Sequence, residues 1–137
     1  MQDHEIAELL QQVKTIALVG ASDNPARPSY GVMAYLLAQG YQVTPVSPKL
    51  AGQSLLGQPA YARLADIPHP VDMVDVFRNS EAAYAVAQEA IAIGARALWL
   101  QIGVINEQAA ALAAQAGLKV VMDRCPKIEI PRLGLER

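Results

Sequence analysis

The chain has 137 residues, of which 53% are hydrophobic and 18% charged, with a formal net charge of −2. That length and apolar content predict one domain with a substantial core, spanning residues 1–137. The balanced charge, the lack of a basic tract and an aromatic content of 5% count against nucleic acid as a partner.

Along the chain, Ile6, Leu9, Leu10 and Val13 recur at helical spacing over residues 4–13, so a short amphipathic helix opens the sequence. Thr15–Val19 reads as a buried first strand, stopped at Gly20. Residues 29–39 form a helix with Val32, Met33 and Leu36 inward and Gly40 as its C-terminal stop. Gln42–Val46 is the second strand, and Pro45 within it blurs where that strand ends. Residues 49–70 carry Gly52, Gly57, Pro59, Pro68 and Pro70, which break long elements and leave at most one helical turn at Leu64–Ile67. Val71–Phe77 is the third strand, and Asn79 or Ser80 caps a helix running to Ile93. Ala97–Leu100 is the fourth strand, Asn106 caps a helix to Ala116, and Lys119–Met122 is the fifth strand. The tail, residues 126–137, has no strong pattern; its apolar Ile128–Leu135 suits packing on the domain or on a second copy.

Strands alternating with helices at crossover spacing, and apolar on both faces, define an α/β fold: a doubly wound parallel sheet in a three-layer sandwich. Such sheets bind ligands beyond the carboxyl ends of their strands. The residues that follow each strand are therefore the candidates for function.

After the first strand, Gly20-Ala21-Ser22 leads into a helix N-terminus. A turn of this kind offers backbone N–H groups and a helix dipole to a phosphate; Ser22 adds a hydroxyl and Arg27 a positive charge. The dinucleotide fingerprint G-x-G-x-x-G is not matched there. After the second strand stands Ser47-Pro48-Lys49, where an NAD site places an acidic residue for the ribose diol. Lysine attracts phosphate instead, so NADP and coenzyme A both qualify. Phe77, the only phenylalanine, and Arg78 follow the third strand; Phe77 can stack on adenine or pack in the core, and Arg78 can pair with a phosphate. Gln101 and Gly103 end the fourth strand, where glycine permits close backbone approach.

Cys125 follows the fifth strand. As the single cysteine it suits a reducing compartment, and it has no metal-ligand spacing with His4 or His69. No histidine lies in another strand-end loop to serve as its base, so a buried structural cysteine is the simpler reading and nucleophilic catalysis the alternative. No apolar run nears the roughly 20 residues of a membrane span. The acidic Met1-Gln2-Asp3-His4-Glu5 is unlike a signal peptide, which predicts a cytoplasmic protein.

Together, Val19-Gly20-Ala21-Ser22, Val46-Ser47-Pro48-Lys49, Val74-Asp75-Val76-Phe77-Arg78, Leu98 to Val104 and Asp123-Arg124-Cys125-Pro126 resemble the small stand-alone CoA-binding proteins of bacteria, of the YccU type. The resemblance runs from about Lys14 to Pro131. The fold is similar to the CoA-binding domain of the succinyl-CoA synthetase α subunit. What the resemblance implies is a Rossmann-like sheet in the order 3-2-1-4-5 and coenzyme A or an acyl-CoA as ligand. It implies that Gly20, Ala21 and Ser22 hold the diphosphate, with Lys49 near the ribose 3′-phosphate or adenine end. Ser47, Pro48, Phe77 and Arg78 would line the adenine and pantetheine track, with Gln101 to Gly103 near the pantetheine arm. The synthetase reaction needs a phosphorylated histidine and an ATP-grasp partner that have no counterpart in this sequence. The expectation is thus a binding protein without its own reaction. The alternatives are an enzyme acting on CoA thioesters or disulfides through Cys125, and an NADP-dependent oxidoreductase.

Overall fold

The computed structural model describes residues 1–137. In chain order the helices are α1 (Asp3–Gln12), α2 (Pro28–Ala38), α3 (Ala83–Ala92), α4 (Glu107–Gln115) and α5 (Pro126–Arg132). The strands are β1 (Thr15–Val19), β2 (Gln42–Val46), β3 (Ser54–Leu55), β4 (Gln58–Pro59), β5 (Met73–Val76), β6 (Ala97–Leu100) and β7 (Lys119–Val121), with a 3-10 turn at Leu64–Asp66. No helix is long and apolar enough to cross a membrane.

The main sheet is parallel and runs β2-β1-β5-β6-β7; β3 and β4 form a separate small antiparallel pair. Among the five strands expected from sequence, this is the order 2-1-3-4-5, which corrects the expected 3-2-1-4-5. Pro45 supplies a physical reason. Its carbonyl accepts from Tyr61 N–H on the side of β2 away from β1, and Ser47 N–H donates back to Tyr61 O. The missing proline N–H therefore lies on that outer side, where a full parallel neighbour would require it. So β2 is an edge strand, covered only by the bridge between Val46 and Tyr61. The next strand, β5, pairs instead on the far side of β1. It is fastened there by Asp72, whose Oδ2 accepts from Lys14 N–H (2.8 Å) and Thr15 N–H (3.2 Å).

The period-two alternation of the strands separates two cores. Ile16, Leu18, Met73, Ala97, Trp99 and Val121 join the apolar side of α1, α2 and α5. Ala17, Val19, Val74, Val76, Leu98 and Leu100 join α3 and α4. Each fully buried Leu, Ile or Val contributes about 1.5–3 kcal/mol. Trp99, the largest fully buried side chain, also satisfies its indole N–H on Arg124 O at 2.7 Å.

The tail differs from expectation. Cys125 stands at the N-cap of α5 in an extended conformation, and Pro126 occupies the first turn, where a helix tolerates proline. Ile130 is buried, and Leu133 and Leu135 pack on the α1/α2 core, so the tail packs on its own domain. The two prolines of Pro126–Pro131 conceal this helix from pattern reading.

Candidate functional site

At the carboxyl edge of the sheet, between the two helical layers, lies a cleft of about 1090 Å³. Its walls come from the residues that follow β1, β2, β5, β6 and β7, together with the start of α2 and one face of α3. In a sheet of order 2-1-3-4-5 the topological switch lies between the first and third of these strands, here β1 and β5. The cleft opens over that point. Of the candidates named from sequence, Gly20, Ala21, Ser22, Arg27, Ser47, Pro48, Lys49, Phe77, Arg78 and Gln101 all line it.

Gly20 has φ +90°, and a Cβ there would lie 2.3 Å from Phe77 O. The glycine is thus demanded by the close approach of two strand ends at the switch point, a reason independent of any ligand. The turn's hydrogen bonding also differs from the simplest expectation. The N–H groups of Gly20 and Ala21 both donate to Val46 O, at 3.0 and 3.3 Å. Ser22 N–H, Asp23 N–H and, at the start of α2, Ser29 N–H have no acceptor in the chain. Ser22 Oγ accepts from Asn24 N–H and Asn24 Oδ1 from Ala26 N–H, which shapes the loop. Donors for an anion therefore come from Ser22 onward; Gly20 and Ala21 supply wall and shape.

The cleft carries Arg27, Lys49, Arg63 and Arg78, with Glu89 as its only acidic residue. None of these cations makes an ion pair, whereas Arg96, Arg124 and Arg132 elsewhere do. Arg63 was not singled out from sequence. It lies in the irregular stretch before the 3-10 turn, and only the packing of that stretch beside β2 brings it to the cleft.

The walls contributed after β6 and β7 carry no charge: Gln101, Ile102, Val104, Cys125 and Ile128. Gln101 is 6% exposed, and its Oε1 is buried without a partner. Gly103 does not line the cleft; its N–H donates to Asp123 Oδ1 (2.8 Å), and its carbonyl accepts from Ser80 Oγ. Its role is to join the loops after β6 and β7. Cys125 lines the cleft and is buried, with neither histidine in the lining. No group of three or more His, Cys, Asp or Glu side chains is placed to hold a metal.

Two carboxylates lie buried beneath this edge. Glu129 is held by Arg124 (2.9 Å) and Arg132 (2.9 Å), and Arg132 also grips Asp3. This network anchors α5, and with it Cys125 and Ile128, to α1. Asp75 lies in the centre of the sheet between Leu18 and Trp99, with both oxygens unpartnered. Burial without a partner pushes its carboxyl well above the ordinary range, which favours the protonated form. It does not line the cleft.

Fold and cleft together define a Rossmann-like, three-layer α/β protein with a candidate ligand site at the carboxyl edge of its sheet. Residues 14–131 match the CoA binding domain family, and the chain belongs to that family. It is 40% identical over 124 residues to the uncharacterized protein YneT of Bacillus subtilis (strain 168), covering 90% of each chain. A solved hypothetical protein from Pyrococcus horikoshii OT3 is 40% identical with a TM-score of 0.93, over 97% of this chain and 92% of that one. A Thermus thermophilus structure is 41% identical with a TM-score of 0.92, over 97% and 99%. The dinucleotide forming acetyl-coenzyme A synthetase 1 of Ca. Korarchaeum cryptofilum shares the fold at 22% identity, with a TM-score of 0.73 over 85% of this chain and 27% of that one.

Proposed function

We propose that the chain is a CoA-binding domain over residues 1–137, working in the cytoplasm, and that it holds coenzyme A or an acyl-CoA in the carboxyl-edge cleft. The observation that carries this reading is the polarity of the cleft. Its cations are Arg27 after β1, Lys49 after β2, Arg63 in the stretch between β4 and the 3-10 turn that packs beside β2, and Arg78 after β5, and its uncharged wall follows β6 and β7. Coenzyme A has the same polarity: a diphosphate and a 3′-phosphate with about four negative charges at one end, and an amide-bearing, otherwise apolar arm at the other. Ser22 and the start of α2 offer free N–H donors for the diphosphate. Arg27 and Arg78 flank that turn, and Lys49 and Arg63 flank the β2 end, where the ribose phosphate belongs in this reading. Ser47, Pro48 and Phe77 supply the wall between them. The unpartnered amide of Gln101 is suited to an amide of the pantetheine arm.

Calorimetry on the whole chain with CoA, 3′-dephospho-CoA, NAD and NADP tests this. The expected order is CoA tightest, dephospho-CoA at least tenfold weaker, and both dinucleotides weaker than CoA. Preference for NADP over CoA overturns the reading in favour of a dinucleotide site. A second reading follows from the position of Cys125 in the cleft wall. Its thiolate attacks the S–S bond of CoA disulfide, forms a protein–CoA mixed disulfide and releases CoA as the thiolate, which takes up the proton lost by Cys125. Intact-protein mass spectrometry after incubation with CoA disulfide decides this; no added mass overturns it.

A further inference from the structure

We infer that the uncharged part of the cleft, built by the loops after β6 and β7, receives an apolar acyl chain. The ligand held most tightly is then an acyl-CoA with several acyl carbons rather than free CoA. This rests on the CoA reading of the cleft and adds the class of acyl group.

The exposed large hydrophobic residues of the whole chain are Met1, Tyr84, Ile102, Ile105 and Ile128. Ile102 is 57% exposed and Ile128 52% exposed, and both line the cleft. Two half-bare isoleucines in one concave wall mark a surface awaiting an apolar partner. Beside them are the buried Val104 and Cys125, whose sulfur is a soft, polarizable wall.

The wall is already built. Gly103 N–H is fixed on Asp123 Oδ1 (2.8 Å), and the Trp99 indole N–H on Arg124 O (2.7 Å). The Glu129–Arg132–Asp3 network holds the helix that carries Ile128. A preformed apolar surface binds with little ordering cost. Charge selects the occupant. The cations Arg27, Lys49, Arg63 and Arg78 serve the phosphates, so what meets this uncharged wall is the uncharged part of the same ligand. Free CoA ends in a thiol too small to cover both isoleucines, whereas an acyl group of several carbons covers them.

The test is calorimetry on the whole chain with CoA, acetyl-CoA, butanoyl-CoA and hexanoyl-CoA. Affinity is expected to rise roughly two- to fourfold per added methylene. The Ile102→Ser/Ile128→Ser double variant changes only exposed side chains and is expected to flatten this chain-length slope. If none of the four ligands binds, the CoA reading itself fails. If CoA binds and the slope is flat or inverted in the natural chain, the acyl inference alone fails. It also fails if the slope survives in the double variant. Sedimentation of both proteins covers the other occupant: a natural dimer that becomes a monomer in the variant, with an unchanged slope, assigns the isoleucines to an interface between copies.

Discussion

The two ends of the parallel sheet use the same kinds of residue in opposite ways. At the amino end, Asp72 accepts from Lys14 and Thr15 N–H, its own N–H donates to Thr15 Oγ1 at 2.9 Å, and Arg96 lies 4.0 Å away. The Asp72 carboxylate and the backbone N–H groups around it satisfy one another. At the carboxyl end, Arg27, Lys49, Arg63 and Arg78 have no acidic partner, Gln101 Oε1 has none, and Ile102 and Ile128 are bare. The amino end is satisfied within the chain and holds β5 against β1. The carboxyl end is left unsatisfied within the chain, which is what the proposed ligand site requires. In the CoA reading, polar groups serve the sheet at the amino end and a ligand at the carboxyl end, with the Gly20–Phe77 packing as the structural exception there.

Substitutions at each end sharpen or break this contrast. The largest effect is expected where the carboxyl end is structural. Gly20→Val places a side chain at positive φ against Phe77 O and should cost about 3 kcal/mol or more in urea unfolding. A variant as stable as the natural chain would show that the strand ends are free to separate. Next, Arg63→Ala and Arg78→Ala should each weaken CoA about 10- to 100-fold, less so at high salt, with stability changed by no more than ~0.5 kcal/mol. Loss of stability in either variant would erase the distinction between the ends.

The amino end should show the converse. Asp72→Ala leaves two backbone N–H groups without their acceptor and should cost about 2 kcal/mol at pH 7. Burial alone would raise the Asp72 carboxyl, but the Lys14 and Thr15 N–H donors outweigh it and, with Arg96, hold it below the ordinary value. Its contribution is therefore complete above the unfolded value of about 3.9 and disappears as pH falls through the lower folded value. Unfolding midpoints from pH 7 to pH 2 should show the gap between the two proteins closing.

Three residues along, Asp75 has the opposite sign. Its raised folded value means that the native state keeps a proton which the unfolded chain gives up above about pH 3.9. Its contribution is complete below that value and is lost as pH rises. Asp75→Asn, which has no proton to lose, should gain nothing near pH 3 and should gain on the natural chain as pH rises above about 3.9, by up to about 1.4 kcal/mol per pH unit while Asp75 keeps its proton. A gain that does not depend on pH would mean that the Asp75 carboxyl is not held neutral.

Much of the cleft lining was legible in the sequence because strand ends are local features. Gly20, Ser22, Lys49, Phe77, Arg78 and Gln101 each sit where an apolar run stops, and each lines the cleft. Arg63 was not legible, since 49–70 has no periodicity to say where it folds. Gly103 stands apart for a related reason: it follows a strand as Gly20 does, yet it lies outside the cleft lining and its N–H is spent on Asp123, a partner 20 residues away.

The sequence by itself determined the alternation of strand and helix, the two-faced burial of the strands and the residues that close each one, because hydrophobic period and turn chemistry act within a few residues. Only the tertiary structure decided that β5 lies beside β1, that Gly20 must yield to Phe77 O, that the Gly20 and Ala21 N–H groups are committed to Val46, and that the charged and apolar walls divide one cleft between them. Those outcomes depend on which distant segments approach each other. A single missing N–H, at Pro45, helped set that choice by leaving β2 fit only for the edge of the sheet.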